Sequence, residues 1–547
     1  MTNISIKNPS EPEQTSWKRY FSFNTDHKVI GVQYLATAFS FFLISGLFAM
    51  IIRAELLTPQ LDVVNRPLYN GLFTMHGTIM IFLWIFPANV GLANFLVPLM
   101  IGAKDMAFPV LNAIAFWLLP IVGILLLSSF FLPSGTAQAG WWSYPPVSIQ
   151  NPSGHLINGE FIWLLAIAIS GVSSIMGGVN FVTTIFRMRA PGMTFFRMPV
   201  YVWTTLSAQL LQLFCLPALT GAAIMLLFDL SLGTNFFSPS KQGDPVIYQH
   251  LFWFYSHPAV YVMALPAFGV FSEVIPAFAR KPLFGYKTVA VSSLLISIIS
   301  TLVWVHHMFA SATPNWMRIL FMATSMLVAV PTGIKVFAWT ATVWRGKLHF
   351  QTPMLFALGG VAMFLFAGIT GVMLASVPFD IHVNNTYFVV GHFHYVVFNT
   401  ITMALYAGIY FWFPKITGRM YSEGWGKLHF WLTFIGANLN FFPMHPLGLQ
   451  GMVRRISSYD PQYTGWNVIA SVGAFLLGMS TLPFIANIVS SWLRGRKAPN
   501  NLWNATGLEW TISSPPPLEN FEENPVVTSE PYGYGEAHRL AADPSSI

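Results

Sequence analysis

The sequence predicts an all-α membrane protein of about twelve transmembrane helices. Of its 547 residues, 54% are hydrophobic and only 9% are charged, whereas soluble globular domains carry about 25% charged residues. Apolar stretches long enough to cross about 30 Å of hydrocarbon recur about twelve times along the chain. Connectors rich in lysine and arginine alternate with connectors that hold few, and this alternation predicts that both termini are cytoplasmic.

The spans divide the chain into three parts. We expect a cytoplasmic N-terminal segment at 1–28, a helical core at 29–494 and a polar cytoplasmic tail at 495–547, lying along the protein surface or partly disordered. The predicted spans are 29–52, 72–100, 108–132, 158–186, 199–229, 247–279, 285–310, 315–344, 353–376, 384–413, 428–450 and 465–494.

One basic pair breaks the charge alternation. Arg454 and Arg455 lie together on the side that otherwise carries few cations. Such a pair suits two anionic groups, such as haem propionates, because guanidinium binds carboxylates in a bidentate geometry. A plain surface pair is the alternative.

Composition excludes several classes of function. In a membrane protein the net charge of +7 reports where the connectors lie and does not indicate nucleic-acid binding. The only cysteine is Cys215. A single cysteine rules out an intrachain disulfide, a c-type haem attachment, a thiolate-bridged copper pair and an iron–sulfur cluster bound by this chain alone.

Four of the apolar spans carry six histidines within otherwise apolar motifs, and the remaining histidines lie mostly near span ends or in loops. A bilayer core penalises imidazole, so a lone buried histidine is best explained as hydrogen-bonded to a carbonyl. Six together, with an HH and an HxH pair, indicate metal binding, since neutral imidazole is a common ligand of iron and copper. The six are His76, His257, His306, His307, His392 and His394.

Spacing separates these histidines into groups. Residues i and i+2 of a helix point about 200° apart, so His392 and His394 face opposite sides and one helix could serve two metal centres. The adjacent His306 and His307 can share a metal only where their helix unwinds. Tyr261 follows His257 by one turn and lies on the same face.

The motifs LFWFYSHPAVY, WVHHMF, PTGIK, TYFVVGHFHY and RR occur in the order typical of haem–copper oxidase subunit I. The chain resembles the cytochrome c oxidase type of this superfamily, in bacterial and cyanobacterial forms, from about residue 20 to 525. The resemblance implies a catalytic subunit that reduces O₂ to water and translocates protons. It also implies two haems, with A type favoured, and one copper ion.

Residue by residue, the resemblance assigns the metal ligands. His76 and His394 would be the axial ligands of a low-spin haem, and His392 the single axial ligand of a high-spin haem. His257, His306 and His307 would bind copper, with Tyr261 supplying an electron and a proton to the reaction. The haem periphery would comprise Arg53, Arg454, Arg455, Trp141 and Trp253.

Two proton paths are also implied by the resemblance. One would use Lys335, which lies inside a span where an unpaired ammonium is expensive, with Thr332 one turn before it. The mouth of the other would consist of Asp105 on a connector, flanked by Asn94 and Asn112. The alternatives are a snorkelling lysine and a solvated loop carboxylate.

The chain departs from the family pattern in two places. Where many relatives have a glutamate after the first copper histidine, it has Ala259, and the Tyr255–Ser256 pair resembles a variant in which a tyrosine hydroxyl replaces the carboxylate relay. Where cytochrome c-oxidising relatives have a His-Asp pair that binds magnesium, it has Asn384 and Asn385, so we expect that site to be weakened or absent.

These departures leave the electron donor open. Cytochrome c, delivering electrons through subunit II, is the default of the family; a quinol oxidase with the same core, lacking dinuclear copper and magnesium, is the alternative. Nitric oxide reductase, a non-redox transporter and a two-haem cytochrome b rank lower. We expect partner subunits II and III, and a prokaryotic energy-transducing membrane, either the plasma membrane or the thylakoid.

Overall fold

The computed structural model describes residues 17–150 and 154–534, and in these ranges the regular structure is helical. Pairing between extended segments is limited there to isolated bridges. The predicted all-α class is therefore confirmed. We number the long helices α1 (His27–Glu55), α2 (Arg66–Ile101), α3 (Pro109–Ser128), α4 (Gly159–Arg187), α5 (Val200–Ser231), α6 (Pro245–Ala279), α7 (Tyr286–Ser300), α8 (Asn315–Val343), α9 (Thr352–Ala375), α10 (Tyr387–Thr417), α11 (Glu423–Phe441) and α12 (Thr464–Arg494).

Ten helices in the described ranges are long and apolar enough to cross a membrane. The other two predicted spans coincide with α7 and α11. The span predicted at 285–310 is interrupted, since α7 ends at Ser300 and a 3₁₀ turn, Trp304–Met308, follows it. The span predicted at 428–450 is also interrupted, because Pro443 separates α11 from the short helix Met444–Leu449.

The helices that carry the predicted ligands are the most buried ones. α2, α6 and α10 lie in the middle of the bundle, whereas α1 and α8 expose most of their apolar side chains. Exposed apolar residues on the outer helices suit contact with lipid, as expected for a spanning bundle. The core thus places the histidines away from the lipid.

Two of the central helices widen just after a histidine. α2 contains a π-helical turn, Met80–Ile85, shortly after His76. α10 contains another, Val397–Thr402, shortly after His394. Such turns are rare and frequently occur at functional sites.

The described part of the C-terminal tail packs against the bundle. Lys415 at the end of α10 donates hydrogen bonds to the carbonyls of Asn500, Ile512 and Ser513 at 3.0, 2.7 and 3.2 Å. The tail also reaches α6, where the Tyr532 hydroxyl donates to Glu273 at 2.5 Å. Residues 495–534 therefore cover one end of the helical core.

Candidate metal centre

A cavity of about 1040 Å³ occupies the centre of the bundle. Sites for single drug-sized ligands measure about 300–1,000 Å³, so this one has room for more than one small molecule. All six histidines singled out from the sequence line it. The fold therefore brings together residues that are up to 318 positions apart, from His76 to His394.

His257, His306 and His307 converge at one part of the cavity. Their ligand atoms all lie within 4.8 Å of one another. His257 Nδ1 lies 3.0 Å from His307 Nε2, and the buried His257 Nε2 has no hydrogen-bond partner. The adjacent pair can converge because it occupies the 3₁₀ turn Trp304–Met308 and not an α-helix, which is the unwinding that the spacing required.

A neighbouring hydroxyl orients His306. The Ser325 hydroxyl donates to the Phe321 carbonyl at 2.5 Å, so it accepts a hydrogen bond from His306 Nδ1 at 2.9 Å. His306 Nε2 is then unprotonated. A metal-binding imidazole usually donates its second N–H in this way, so the tautomer suits ligation.

His76 and His394 form a second pair. Their rings lie nearly parallel, at an interplanar angle of 14°, with centroids 6.4 Å apart. His76 Nδ1 bonds the Ser45 carbonyl at 3.0 Å, and His394 Nδ1 bonds the Val390 carbonyl at 2.9 Å. Both Nε2 atoms are therefore free of protons. Two imidazoles on α2 and α10 can thus bind one ion from opposite sides.

His392 lies apart from this pair. Its Nδ1 approaches the Thr370 hydroxyl of α9 at 3.0 Å, and that hydroxyl donates to the Ala367 carbonyl at 3.0 Å. His392 therefore donates from Nδ1 and keeps Nε2 available. The ring also needs Gly371, because a Cβ there would lie 3.0 Å from His392 Cε1.

The cavity wall carries cations without a carboxylate ion-pair partner among the described residues. Arg454 and Arg455 lie 4.6 and 3.5 Å from the Trp142 ring centroid. Burial, reinforced by the charge of Arg454, lowers the pKa of Arg455 to about 8. Two half-buried guanidiniums side by side favour an anionic ligand over a plain surface pair.

Arg53 on α1 also lines the cavity. Its Nη2 donates to the Asn467 carbonyl at 2.8 Å and to the Ser471 hydroxyl at 3.0 Å. Its Nε and Nη1 are buried without a hydrogen-bond partner. Unpaired buried donors are costly and indicate a polar group that the cavity is built to receive.

The chain matches the family described as cytochrome c and quinol oxidase polypeptide I over residues 29–476. It belongs to this family. Cytochrome c oxidase subunit 1 of Synechocystis sp. is 55% identical over 545 residues, covering 100% of this chain and 97% of that protein. Its counterpart from Thermostichus vulcanus is 54% identical over 532 residues, covering 97% of this chain and 95% of that one.

A solved structure of a haem–copper terminal oxidase dimer shares the fold. Its TM-score is 0.73 at 19% sequence identity, and the match covers 88% of this chain and 85% of that one. The prediction of a catalytic subunit of a haem–copper terminal oxidase, embedded in a membrane by several spans, is therefore confirmed. Membership of the family implies haem and copper cofactors and a complex with other subunits.

The donor sets of the cavity fit these cofactors. Three convergent imidazoles could hold copper, and the imidazoles of His76, His392 and His394 are ligands of the type that haem iron accepts. Unpartnered guanidinium atoms on Arg53 and Arg454 suit the anionic haem propionates.

Aromatic residues lie beside the three convergent histidines. The Trp253 ring stacks on His307 at a centroid distance of 3.7 Å and an interplanar angle of 10°. Trp141 meets Trp253 edge-on at 5.8 Å. The Tyr261 ring lies 5.0 Å from the His257 ring, and Tyr255 and Ser256 also line the cavity. The Ser256 hydroxyl is buried without a partner.

Lys335 is fully buried and does not snorkel. Its Nζ donates to the Val289 carbonyl at 2.9 Å and to the Ser293 hydroxyl at 2.7 Å, both on α7. Thr332, one turn earlier, lines the cavity. The lysine thus lies one helical turn behind a residue that lines the cavity.

Asp105 lies on the connector between α2 and α3. It is partly exposed, and burial raises its pKa from 3.8 to about 6. Behind it, Asn112 Nδ2 donates to Asn94 Oδ1 at 2.6 Å. The three residues therefore lie at the same end of the bundle, with the amides buried and the carboxyl nearer solvent.

The asparagine pair uses its side chains within the protein. Asn384 Nδ2 donates to Asp380 at 3.0 Å, and Asn385 Nδ2 donates to Asn384 Oδ1 at 2.8 Å. Arg454 Nη2 donates to Asn385 Oδ1 at 3.1 Å. Both amide oxygens thus already accept hydrogen bonds, which compete with binding of a cation.

Sequence reasoning missed the residues that orient the ligands. Ser325 and Thr370 fix the tautomers of His306 and His392, yet a hydroxyl in an apolar helix gives no signal of this role in the sequence. Trp142, which stacks beneath both arginines, had a signal in its neighbour Trp141. His27 is buried beside Asn94, although its position at a span end predicts a solvated side chain.

Proposed function

We propose that this chain is the oxygen-reducing, proton-translocating core of a terminal oxidase, with electrons delivered from cytochrome c through subunit II. The convergence of His257, His306 and His307, with His257 Nε2 buried and unpartnered, is the observation that carries the proposal. The 55% identical relative from Synechocystis sp., a cytochrome c oxidase subunit 1, supports cytochrome c as the donor.

In this proposal each histidine binds one cofactor. His76 and His394 hold the low-spin haem, His392 holds the high-spin haem, and His257, His306 and His307 hold copper. When bound, the two irons and the copper supply electron transfer and the reduction of oxygen. Arg53, Arg454 and Arg455 neutralise the propionates, and Trp141 and Trp253 pack at the haem periphery. We propose that both haems are of A type, which the family resemblance favours.

The protein itself supplies protons. Tyr261 holds a proton next to His257, and Lys335 with Thr332 leads towards it from α8. Asp105, Asn94 and Asn112 form the mouth of a second path, and Tyr255 with Ser256 replaces the absent carboxylate relay at its inner end. Buried polar side chains that line a cavity inside a membrane are the usual carriers of such paths.

The membrane arrangement extends the same proposal. We propose twelve spans, with α7 and α11 crossing as well as the ten longer helices, and cytoplasmic segments at 1–28 and 495–547 flanking the core at 29–494. An even number of spans places both termini on one side. The complex would contain subunits II and III and lie in a prokaryotic plasma membrane or thylakoid.

Quinol is the second candidate donor, favoured by Asn384 and Asn385. A magnesium site beside subunit II needs charged or imidazole ligands, and here the amide oxygens of both residues are occupied by hydrogen bonds. A weakened or absent magnesium site is typical of an oxidase that has no dinuclear copper to bridge.

Oxygen uptake by the purified complex separates the two donors. We expect faster uptake with reduced cytochrome c than with a quinol, and a copper content above one ion per chain if subunit II carries dinuclear copper. Uptake with quinol alone, at one copper per chain, would establish the quinol oxidase. A complex without copper, or with a single haem per chain, would refute both.

A further inference from the structure

A residue of the C-terminal tail lies in the hydrogen-bond network of the Asp105 mouth. Asn520 is fully buried. Its Nδ2 lies 2.9 Å from His27 Nε2, 2.9 Å from the Ala103 carbonyl and 3.0 Å from the Lys104 carbonyl. Its Oδ1 accepts from Lys28 Nζ at 2.9 Å. One side chain thus joins the tail, the start of α1 and the connector immediately before Asp105.

These contacts fix the protonation of His27. The Asn94 carbonyl can only accept, so His27 Nδ1 carries the proton and donates to it at 2.7 Å. His27 Nε2 is then unprotonated and accepts from Asn520 Nδ2, whose two hydrogens it shares with the Ala103 and Lys104 carbonyls. The Asn94 side-chain Oδ1 accepts from Asn112, so hydrogen bonds to the main chain and side chain of Asn94 connect the tail to Asn112.

The tail also forms part of the wall around the connector. A Cβ on Gly102 would lie 2.8 Å from Pro525 Cγ, so the backbone and the tail are in close contact there. Val527 N donates to the Pro191 carbonyl at 2.9 Å, and Arg197 Nη1 donates to the Val527 carbonyl at 3.0 Å. The tail is therefore also anchored beyond Asn520, at Pro525 and Val527.

We propose that Asn520 is a positioning residue for proton uptake at Asp105. It holds the two carbonyls that precede Asp105 and the ring of His27, and through them the Asn94–Asn112 pair. Without it, the connector loses its buried anchor and the carboxyl loses its alignment with the amides behind it. This inference rests on the proposed function, in which Asp105 is the mouth of a proton path.

The test compares proton uptake with electron transfer in the intact complex. Asn520→Ala should slow uptake of protons from the bulk, followed with a pH-indicator dye as the fully reduced enzyme reacts with oxygen, about five- to tenfold. Electron transfer between the haems, followed by their absorbance in the same reaction before protons are needed, should be unchanged. Asn520→Asp keeps the shape and the Lys28 acceptor but loses the donors, so it should reproduce the loss.

Asn524→Ala, at an exposed position of the same tail, is the matched control and should behave as wild type. Normal proton uptake in Asn520→Ala or Asn520→Asp would overturn the inference, as would equal slowing of haem-to-haem electron transfer, which would indicate a general structural defect. Asp105→Asn distinguishes a failure of the proposed proton path from a failure of the role proposed for Asn520. If it leaves proton uptake intact, the proposed path fails; if it slows uptake while both Asn520 variants do not, only the role of Asn520 fails.

Discussion

The central cavity and the Asp105 mouth differ in how their polar atoms are used. At the cavity, His257 Nε2, Ser256 Oγ and the Nε and Nη1 atoms of Arg53 are buried without partners. At the mouth, His27, Asn94, Asn112 and Asn520 satisfy one another at 2.6–2.9 Å. Buried polar atoms without a partner mark a place that a ligand would complete. Polar atoms that bond one another mark a place where the protein fixes the positions of its own side chains.

This difference predicts how each region responds to change. No neighbouring residue can replace a side chain that binds a ligand directly, so its substitution should remove both the ligand and the reaction. A residue in a closed network shares its role with neighbours, and each hydrogen bond contributes only about 1 kcal/mol. Substitutions should therefore have their largest effects at the cavity and graded effects away from it.

His306→Ala should have the largest effect. It removes one of three convergent imidazoles and leaves His76 and His394 intact. Because loss of groups that merely support a ligand costs about 10–100-fold, loss of the ligand itself should lower oxygen uptake by at least about 100-fold. Metal analysis should show loss of copper, while the low-spin haem spectrum survives.

His349→Ala, at an exposed connector position, is the matched control for that experiment. It should retain both copper and turnover. If His306→Ala kept its copper and its activity, the assignment of the triad would be wrong and the contrast between the two regions would lose its basis.

Lys335→Met should follow. Methionine fills the buried site without an ammonium, so folding should be preserved while proton delivery to the Tyr261 side of the cavity is lost. Positioned proton donors contribute about 10²–10⁴-fold, and we expect turnover to fall by about 100-fold. Lys347→Met, which removes an exposed lysine, should leave oxygen uptake unchanged; normal turnover in Lys335→Met would instead make this lysine structural.

Many of the residues that line the cavity were predictable because they are of types that are rare in membrane-spanning segments. His76, His257, His306, His307, His392 and His394 stand out from an apolar background, and the spacing of His392 and His394 implied two faces, which the structure places against different neighbours. The 3₁₀ turn was implied by the adjacency of His306 and His307. Local rules were sufficient there.

Long-range contacts were not predictable in the same way. The Asn520–His27 contact joins residues 493 positions apart, and asparagine in a polar tail has no pattern that distinguishes it. The interruption within 428–450 was missed because hydropathy averages over a window and does not register a turn within an apolar run. The ligand-orienting Thr370 was missed because hydroxyls in spanning helices usually bond their own backbone.

Thr370→Val tests whether that orienting hydroxyl matters. Valine keeps the shape but removes the acceptor for His392 Nδ1, so the ring loses its fixed tautomer. We expect turnover to fall about tenfold, with altered absorbance of the high-spin haem and an unchanged low-spin haem. Thr340→Val, whose hydroxyl bonds only its own helix at an exposed position, is the control and should match wild type. Equal behaviour of the two variants would contradict an orienting role.

The smallest effect should be the pH dependence of stability at the mouth. The pKa of Asp105 is raised to about 6 chiefly by burial; Asp26 raises it further, while Lys28 and the hydrogen bonds from the Met106 and His27 backbone lower it. A raised carboxyl pKa means that folding favours the protonated form. The contribution of this carboxyl to the free energy of unfolding is therefore fully present below pH 3.8 and is lost as the pH rises through about 6.

The melting temperature of the detergent-solubilised complex should fall as the pH rises over this window, and Asp105→Asn should flatten the fall. Because Asp105 is partly exposed, we expect less than about 1 kcal/mol. Glu522→Gln, at an exposed tail position, should keep the wild-type slope; an Asp105→Asn curve that parallels wild type would show that another group titrates, and that the closed network of the mouth does not desolvate this carboxyl.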